Sequence, residues 1–119
     1  MANYTFPREV RLLTSRDYDR VFKNPIRVSA PGLLILAVRN NDLRSPRLGM
    51  VIPKKVLKRA VWRNRVKRLV RESFRLSQHT LPQADLVVMA KPKIGDISNA
   101  DLSTSLKRLW EQISRRLEK

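Results

Sequence analysis

Apolar positions along the chain fall into two kinds of spacing, and their order predicts a mixed fold. Residues 1–13 read as an extended basic lead-in anchored by Phe6, Val10, Leu12 and Leu13. Thr14-Ser15-Arg16-Asp17 has the form of a capping box, with Thr at the N-cap and an acid three residues on, and opens a short helix. Tyr18, Val21 and Phe22 share one side of it, and Asn24-Pro25 stops it. Ile26–Ser29 alternates as a first strand, Ala30-Pro31-Gly32 is a turn, and Leu33–Val38 is a short apolar run. Asn40-Asn41-Asp42 after that run suggests a strand entering a hairpin, and Arg47–Pro53 follows as a third strand. Later, Asp85–Ala90 is apolar on both faces, which predicts a central strand. Lys91–Gly95 forms a basic loop, and Ser98-Asn99-Ala100-Asp101 is a second capping-box-like start. Leu102, Leu106, Leu109, Trp110, Ile113 and Leu117 then repeat at helical spacing and mark the buried stripe of a last helix.

Between the third and fourth strands lies the stretch that departs most from an ordinary amphipathic helix. Of the 22 residues from Lys54 to Arg75, ten are Lys or Arg, and only Glu72 opposes them. A helix is predicted from about Val56 or Lys58 to Ser77, broken by His79-Thr80-Leu81-Pro82. Trp62, Val66, Leu69, Val70 and Phe74 lie within an arc of roughly 140° on this helix. Asn64, Lys67, Arg68, Arg71 and Arg75 take the other side. A solvated face would mix charge signs, but Arg63–Lys67, Lys67–Arg71 and Arg71–Arg75 are like-charge pairs at i,i+4. The cations also begin at the N-terminus, where the helix dipole favours anions. Arg59 and Arg63 project within about 60° of Val66, so the apolar stripe turns cationic at the helix entrance. Free amides and converging Arg and Lys at a helix start suit a phosphate backbone. Trp62, on the apolar side, reads as a core residue.

Composition sharpens this reading. Twenty-six Lys and Arg against ten Asp and Glu give the 119-residue chain a net charge of +16. A basic excess of that size points to nucleic acid or an anionic surface as partner. Membrane binding is the weaker choice, because no apolar run reaches transmembrane length and no lipidation signal is present. Met1–Phe6 lacks the apolar segment of a signal peptide, so a cytoplasmic location is expected. The chain has no Cys and one His, His79, which leaves no thiolate or His-cluster metal site. The ten carboxylates are scattered; only Asp17 and Asp19 are close, and an i,i+2 pair on a helix does not face one site. Ser77 lies near His79 without an orienting carboxylate, and three glycines at 32, 49 and 95 form no phosphate-cradling loop. No protein-borne catalytic centre is expected.

Arg63-Asn64-Arg65-Val66-Lys67-Arg68-Leu69-Val70-Arg71-Glu72-Ser73-Phe74-Arg75 resembles the RNR signature of the bacterial ribonuclease P protein subunit. Phe6-Pro7-Arg8-Glu9 with Leu12-Leu13, the segment Arg47–Lys55 and the ending also fall at that family's usual spacing. Two positions depart: Trp62 stands where the family often has Glu, and Pro53 where a small residue is common. The predicted fold is α+β, a single-domain α/β sandwich over residues 1–119 in the order α-β-β-β-α-β-α. General rules favour a right-handed βαβ crossover; the resemblance implies a left-handed one, and periodicity says nothing of the hand.

The resemblance also implies a function. The chain would be the protein subunit of a ribonucleoprotein that removes the 5′ leader of precursor tRNA, with the catalytic centre and its Mg²⁺ on the RNA and no cofactor held by protein alone. Lys54, Lys55, Arg59, Arg63, Asn64, Arg65, Lys67, Arg68 and Arg71 are the expected contacts to the catalytic RNA. Tyr18 and Phe22 fall at the family's leader-binding positions, with Lys91 supplying nearby charge; alternatively both rings pack their helix on the sheet. A non-catalytic RNA-binding protein built on the same basic helix is the second reading, separable by whether a co-purifying RNA supports tRNA 5′ cleavage. A helix-turn-helix DNA binder is the third, and the strand-rich first half argues against it.

Overall fold

The computed structural model describes residues 15–40 and 46–117. The basic lead-in, Thr14 and the hairpin residues Asn41 and Asp42 lie outside them. Helix α1 spans Ser15–Lys23, strand β1 Ile26–Ala30, β2 Leu33–Arg39, β3 Arg47–Val51, helix α2 Ala60–Ser77, strand β4 Ala84–Ala90 and helix α3 Asn99–Leu117. Single 3₁₀ turns occupy Gln78–Thr80 and Ile94–Asp96. The element order is the one the hydrophobic pattern predicts.

Pro31 and Gly32 close the β1–β2 hairpin, with Ala30 opposite Leu33. Gly32 takes φ 77°, and a Cβ there would come within 2.8 Å of Ile97 Cδ1, so the position needs glycine for conformation and for space. A hairpin between β2 and β3 does not form. The sheet order is β1-β2-β4-β3, so β4 inserts between them, antiparallel to β2 and parallel to β3. The reason is burial: β4 is apolar on both faces and only a central position covers both, whereas β3 carries half-buried Arg47 and Met50 and takes the edge.

Hydrogen-bond parity fixes the hand of the β3-α2-β4 crossover. Asn40 N donates to Gln83 O at 3.0 Å and Lys91 N to Gly32 O at 2.9 Å, at the two ends of the β2–β4 ladder. Leu34–Met89 and Leu36–Val87 are therefore hydrogen-bonded pairs, and their side chains face α1. For L-residues in an upward strand, a side chain pointing at the viewer places its own N–H and C=O on the right. Seen from the α2–α3 side, β2 then lies to the left of β4 and β3 to its right. The chain climbs β3, crosses on the viewer's side through α2, and enters β4 one place to the left. This crossover is left-handed, against the general preference.

Two helices cover one face and one covers the other. Val66, Val70 and Phe74 of α2 join Leu106, Trp110 and Ile113 of α3 over Ile35, Leu48, Leu86 and Val88. Phe74 meets Trp110 edge to face at 5.8 Å, and Trp110 Nε1 donates to Ser73 Oγ at 2.8 Å, which explains a serine in an otherwise apolar stripe. Ser98 caps α3 as expected, its Oγ accepting from Asp101 N at 3.1 Å. On the opposite face Val21 of α1 packs on Leu36 and Val87, with Tyr18, Leu34, Val51 and Met89 partly covered.

Candidate nucleic-acid interface

Helix α2 begins later than its sequence suggests. Val56 N and Leu57 N both return to Pro53 O, at 3.0 and 3.1 Å, so Lys54–Val56 form a turn and Leu57 is buried beneath it. The N-cap is Arg59, with φ −86° and ψ 134° and no side-chain cap bond. No side chain accepts from the first-turn amides; Arg63 Nη1 instead donates to Leu57 O and Lys58 O, both at 2.8 Å. A guanidinium thereby ties the turn to the helix. No acidic residue occupies the first turn, and the positive end of the helix dipole is not offset there.

The expected RNA contacts separate into three groups. Lys54 and Lys55 are exposed on the turn after β3, and Arg59 is exposed at the helix start. Asn64, Arg68 and Arg71 are exposed along the outer side of α2 at i, i+4 and i+7, a row about 10 Å long at 1.5 Å per residue. Arg63, Arg65 and Lys67 are half-buried on the flanks. The Arg65 Nε is buried and finds no hydrogen-bond partner among the described residues. None of these Lys and Arg residues enters an ion pair among the described residues; the ion pairs resolved there gather on Asp17 and Asp85.

Trp62 is not a core residue. The buried stripe of α2 starts at Val66, one turn later, and Trp62 keeps 45% of its surface exposed. The Arg59 guanidinium lies over its ring at 5.2 Å from the centroid.

The leader candidates sit across the sheet. Tyr18 and Phe22 are neighbours on α1, with ring centroids 6.4 Å apart and planes tilted by 33°. Tyr18 is half-buried, and its OH accepts from Met50 N at 3.3 Å, using an amide that edge strand β3 leaves available. Phe22 stays 41% exposed. Lys91 follows β4 on the same face by alternation from Val87 and Met89 and is half-buried. Because β3 and β4 are parallel, Lys54, Lys55 and Lys91 all emerge at the same end of the sheet, where α2 also starts.

Sequence reasoning missed the clamp that holds α1. Asp85 is fully buried and accepts from Arg47 Nε at 2.8 Å, Arg47 Nη2 at 3.2 Å and Asn40 Nδ2 at 3.1 Å, and it pairs with Arg20. Arg47 also reaches Asp17 at 3.4 Å, so Asp17 serves an ion pair beyond its helix start. A lone acid opening an apolar strand in a strongly basic chain was the available signal. Among the described residues no group of three or more His, Asp or Glu is placed to hold a metal ion, and no helix is long and apolar enough to cross a membrane.

Comparisons with known proteins agree with this geometry. The family model for ribonuclease P matches residues 6–114. The ribonuclease P protein component of Aliivibrio fischeri is 52% identical over 113 residues, covering 95% of this chain and 96% of that one. Among solved structures, the RNase P protein from Thermotoga maritima in complex with 1-(4-fluorophenyl)-2-thiourea superimposes with TM-score 0.78 at 30% identity, over 87% of this chain and 99% of that one. A Staphylococcus aureus RNase P protein mutant with defective mRNA degradation activity gives TM-score 0.80 at 25% identity, over 87% of this chain and 86% of that one. With the signature helix, the sheet order and these relatives in agreement, the chain belongs to the ribonuclease P protein family and is a protein component of that endoribonuclease, whose catalysis is RNA-based.

Proposed function

We propose that the cationic face of α2, with Lys54, Lys55 and Arg59 at its entrance, binds the catalytic RNA, and that Tyr18, Phe22 and Lys91 receive the 5′ leader of precursor tRNA. The observation that carries this reading is the row of cations on α2 without a carboxylate partner among the described residues. Such a row is self-repelling in the free protein and gains most from a polyanion, which replaces repulsion with charge-assisted hydrogen bonds. Arg63, Asn64, Arg65, Lys67, Arg68 and Arg71 continue the same surface from the helix start. Exposed Phe22 beside half-buried Tyr18 offers the flat apolar surface on which bases of a single strand stack irrespective of sequence. The two surfaces adjoin at the end of the sheet where β3 and β4 finish, so a substrate leader and the catalytic RNA can be held by one small protein.

The Mg²⁺ of the holoenzyme is assigned to the RNA. Asp17 and Asp85 both lie on Arg47, and a carboxylate already engaged by a guanidinium is a poor metal ligand. A cytoplasmic location accords with substrates that are tRNA precursors. The test is reconstitution with a bacterial ribonuclease P RNA at low Mg²⁺, scoring cleavage of precursor tRNA. The complex should cleave, and the protein alone should not at any Mg²⁺ concentration. Sustained cleavage by RNA-free protein would overturn the assignment of chemistry to the RNA.

A further inference from the structure

Trp62 is the feature of α2 that phosphate binding does not explain. Its direction on the helix is that of the core stripe, but it belongs to neither packed cluster, and it stands one turn beyond Val66, where the core begins. Val61 beside it is also exposed. An indole left in water next to a second exposed apolar residue is a surface awaiting a partner.

We infer that Trp62 is a stacking platform for an unpaired base of the catalytic RNA, with Arg59 covering the other side of the indole. Three observations fit this occupant. The Arg59 guanidinium at 5.2 Å shields one side of the ring and restrains it, so little side-chain freedom is left to lose on binding. The ring still offers 45% of its surface. Lys54, Lys55, Lys58 and Arg59 are all exposed around the start of α2, and no acid lies in its first turn, so the occupant is flat and anionic at once. A nucleotide has both properties: its base stacks on the indole while its phosphates meet the cations. The inference rests on the proposed RNA-binding face of α2 and adds to it a contact made by stacking instead of charge.

That difference gives the test. Trp62→Ala should weaken binding to ribonuclease P RNA by about 5- to 150-fold, the range for losing one stacked base. The slope of log affinity against log salt should not change, since no phosphate contact is removed. Trp62→Phe should keep most of the affinity, and the unfolding midpoint of Trp62→Ala should match wild type. Acrylamide quenching supplies an independent readout, because Trp110 is buried and Trp62 is the accessible indole of the two. Quenching should fall when the RNA binds. Wild-type affinity for Trp62→Ala, or an indole still quenched in the complex, would overturn the inference; the second result would show that no base covers Trp62. Arg68→Ala distinguishes the two levels. If it lowers the salt slope while Trp62→Ala has no effect, only the stacking platform fails. If neither variant has an effect, the RNA-binding face itself fails.

Discussion

Arginines on the two sides of the sheet stand in opposite electrostatic situations. On the α1 side, Arg20 and Arg47 converge on Asp85, whose side chain has 0% exposure, and Arg47 also pairs with Asp17. At the N-cap of α2 and along it, Arg59, Arg65, Arg68 and Arg71 have no ion pair among the described residues. The same residue type therefore does two jobs. Paired arginines use their donors inside the protein and fix the short helix α1, which buries only Val21 fully and needs the help. Unpaired arginines cost a few tenths of a kcal/mol per like-charge neighbour and keep their donors for a ligand. A net charge of +16 does not show this contrast: Asp17 and Asp85 are placed where they hold α1, while Glu72 is the one acid between Lys54 and Arg75.

The largest expected effect is on the paired side. Arg47→Met strands a buried carboxylate with Asn40 and the half-exposed Arg20, and should lower stability by about 3–5 kcal/mol in urea unfolding. A loss below about 1 kcal/mol would erase the distinction between the two arginine groups. Arg63→Ala sharpens it from the middle, because Arg63 belongs to α2 but donates to the carbonyls of Leu57 and Lys58. It should cost about 1.5–3 kcal/mol of stability as well as RNA affinity. Phe22→Ala should leave the fold nearly unchanged and weaken holoenzyme binding to precursor tRNA with a long leader by about 1–3 kcal/mol. Mature tRNA should bind as before; equal losses on both substrates would return Phe22 to a packing role. Phe22 is the cleaner probe of the leader surface, since Tyr18 also accepts from Met50 N. The smallest effect on stability belongs to Arg68→Ala, within about 0.5 kcal/mol of wild type.

Much of this was legible in the chain, and the failures share a cause. Periodicity gives the order of the helices and strands, marks β4 as central and finds Ser98 as a cap, because these depend on burial and on residues within a few positions. It misplaces the partner of β2, since turn residues at Asn40 tell where a strand ends but not which strand lies beside it. A helical wheel points Trp62 at the core, but it gives direction and not how far along the helix the core extends. The pattern starts α2 too early because Leu57, which fits a helical stripe, is buried by a turn that closes on Pro53. The pattern does not reveal the role of Asp85, because its partner Arg47 is 38 residues away and the pairing exists only once β3 and β4 lie side by side. Periodicity carries nothing on the hand of the crossover; the family resemblance implies a left-handed one, and the hydrogen-bond parity of the β2–β4 ladder shows it.

The central claim is that α2 meets RNA through its unpaired cations and not through bulk charge. The most direct test is the salt dependence of binding to ribonuclease P RNA by wild type, Arg68→Ala and Arg108→Ala. Both positions are exposed, and both changes remove one positive charge. Arg116 is unsuitable as the control, because its Nη1 donates to Arg27 O at 2.5 Å. Arg68→Ala should weaken binding and reduce the log–log salt slope by up to about one unit, while Arg108→Ala should match wild type. Equal losses for the two variants would contradict the account and leave net charge as the whole of the recognition.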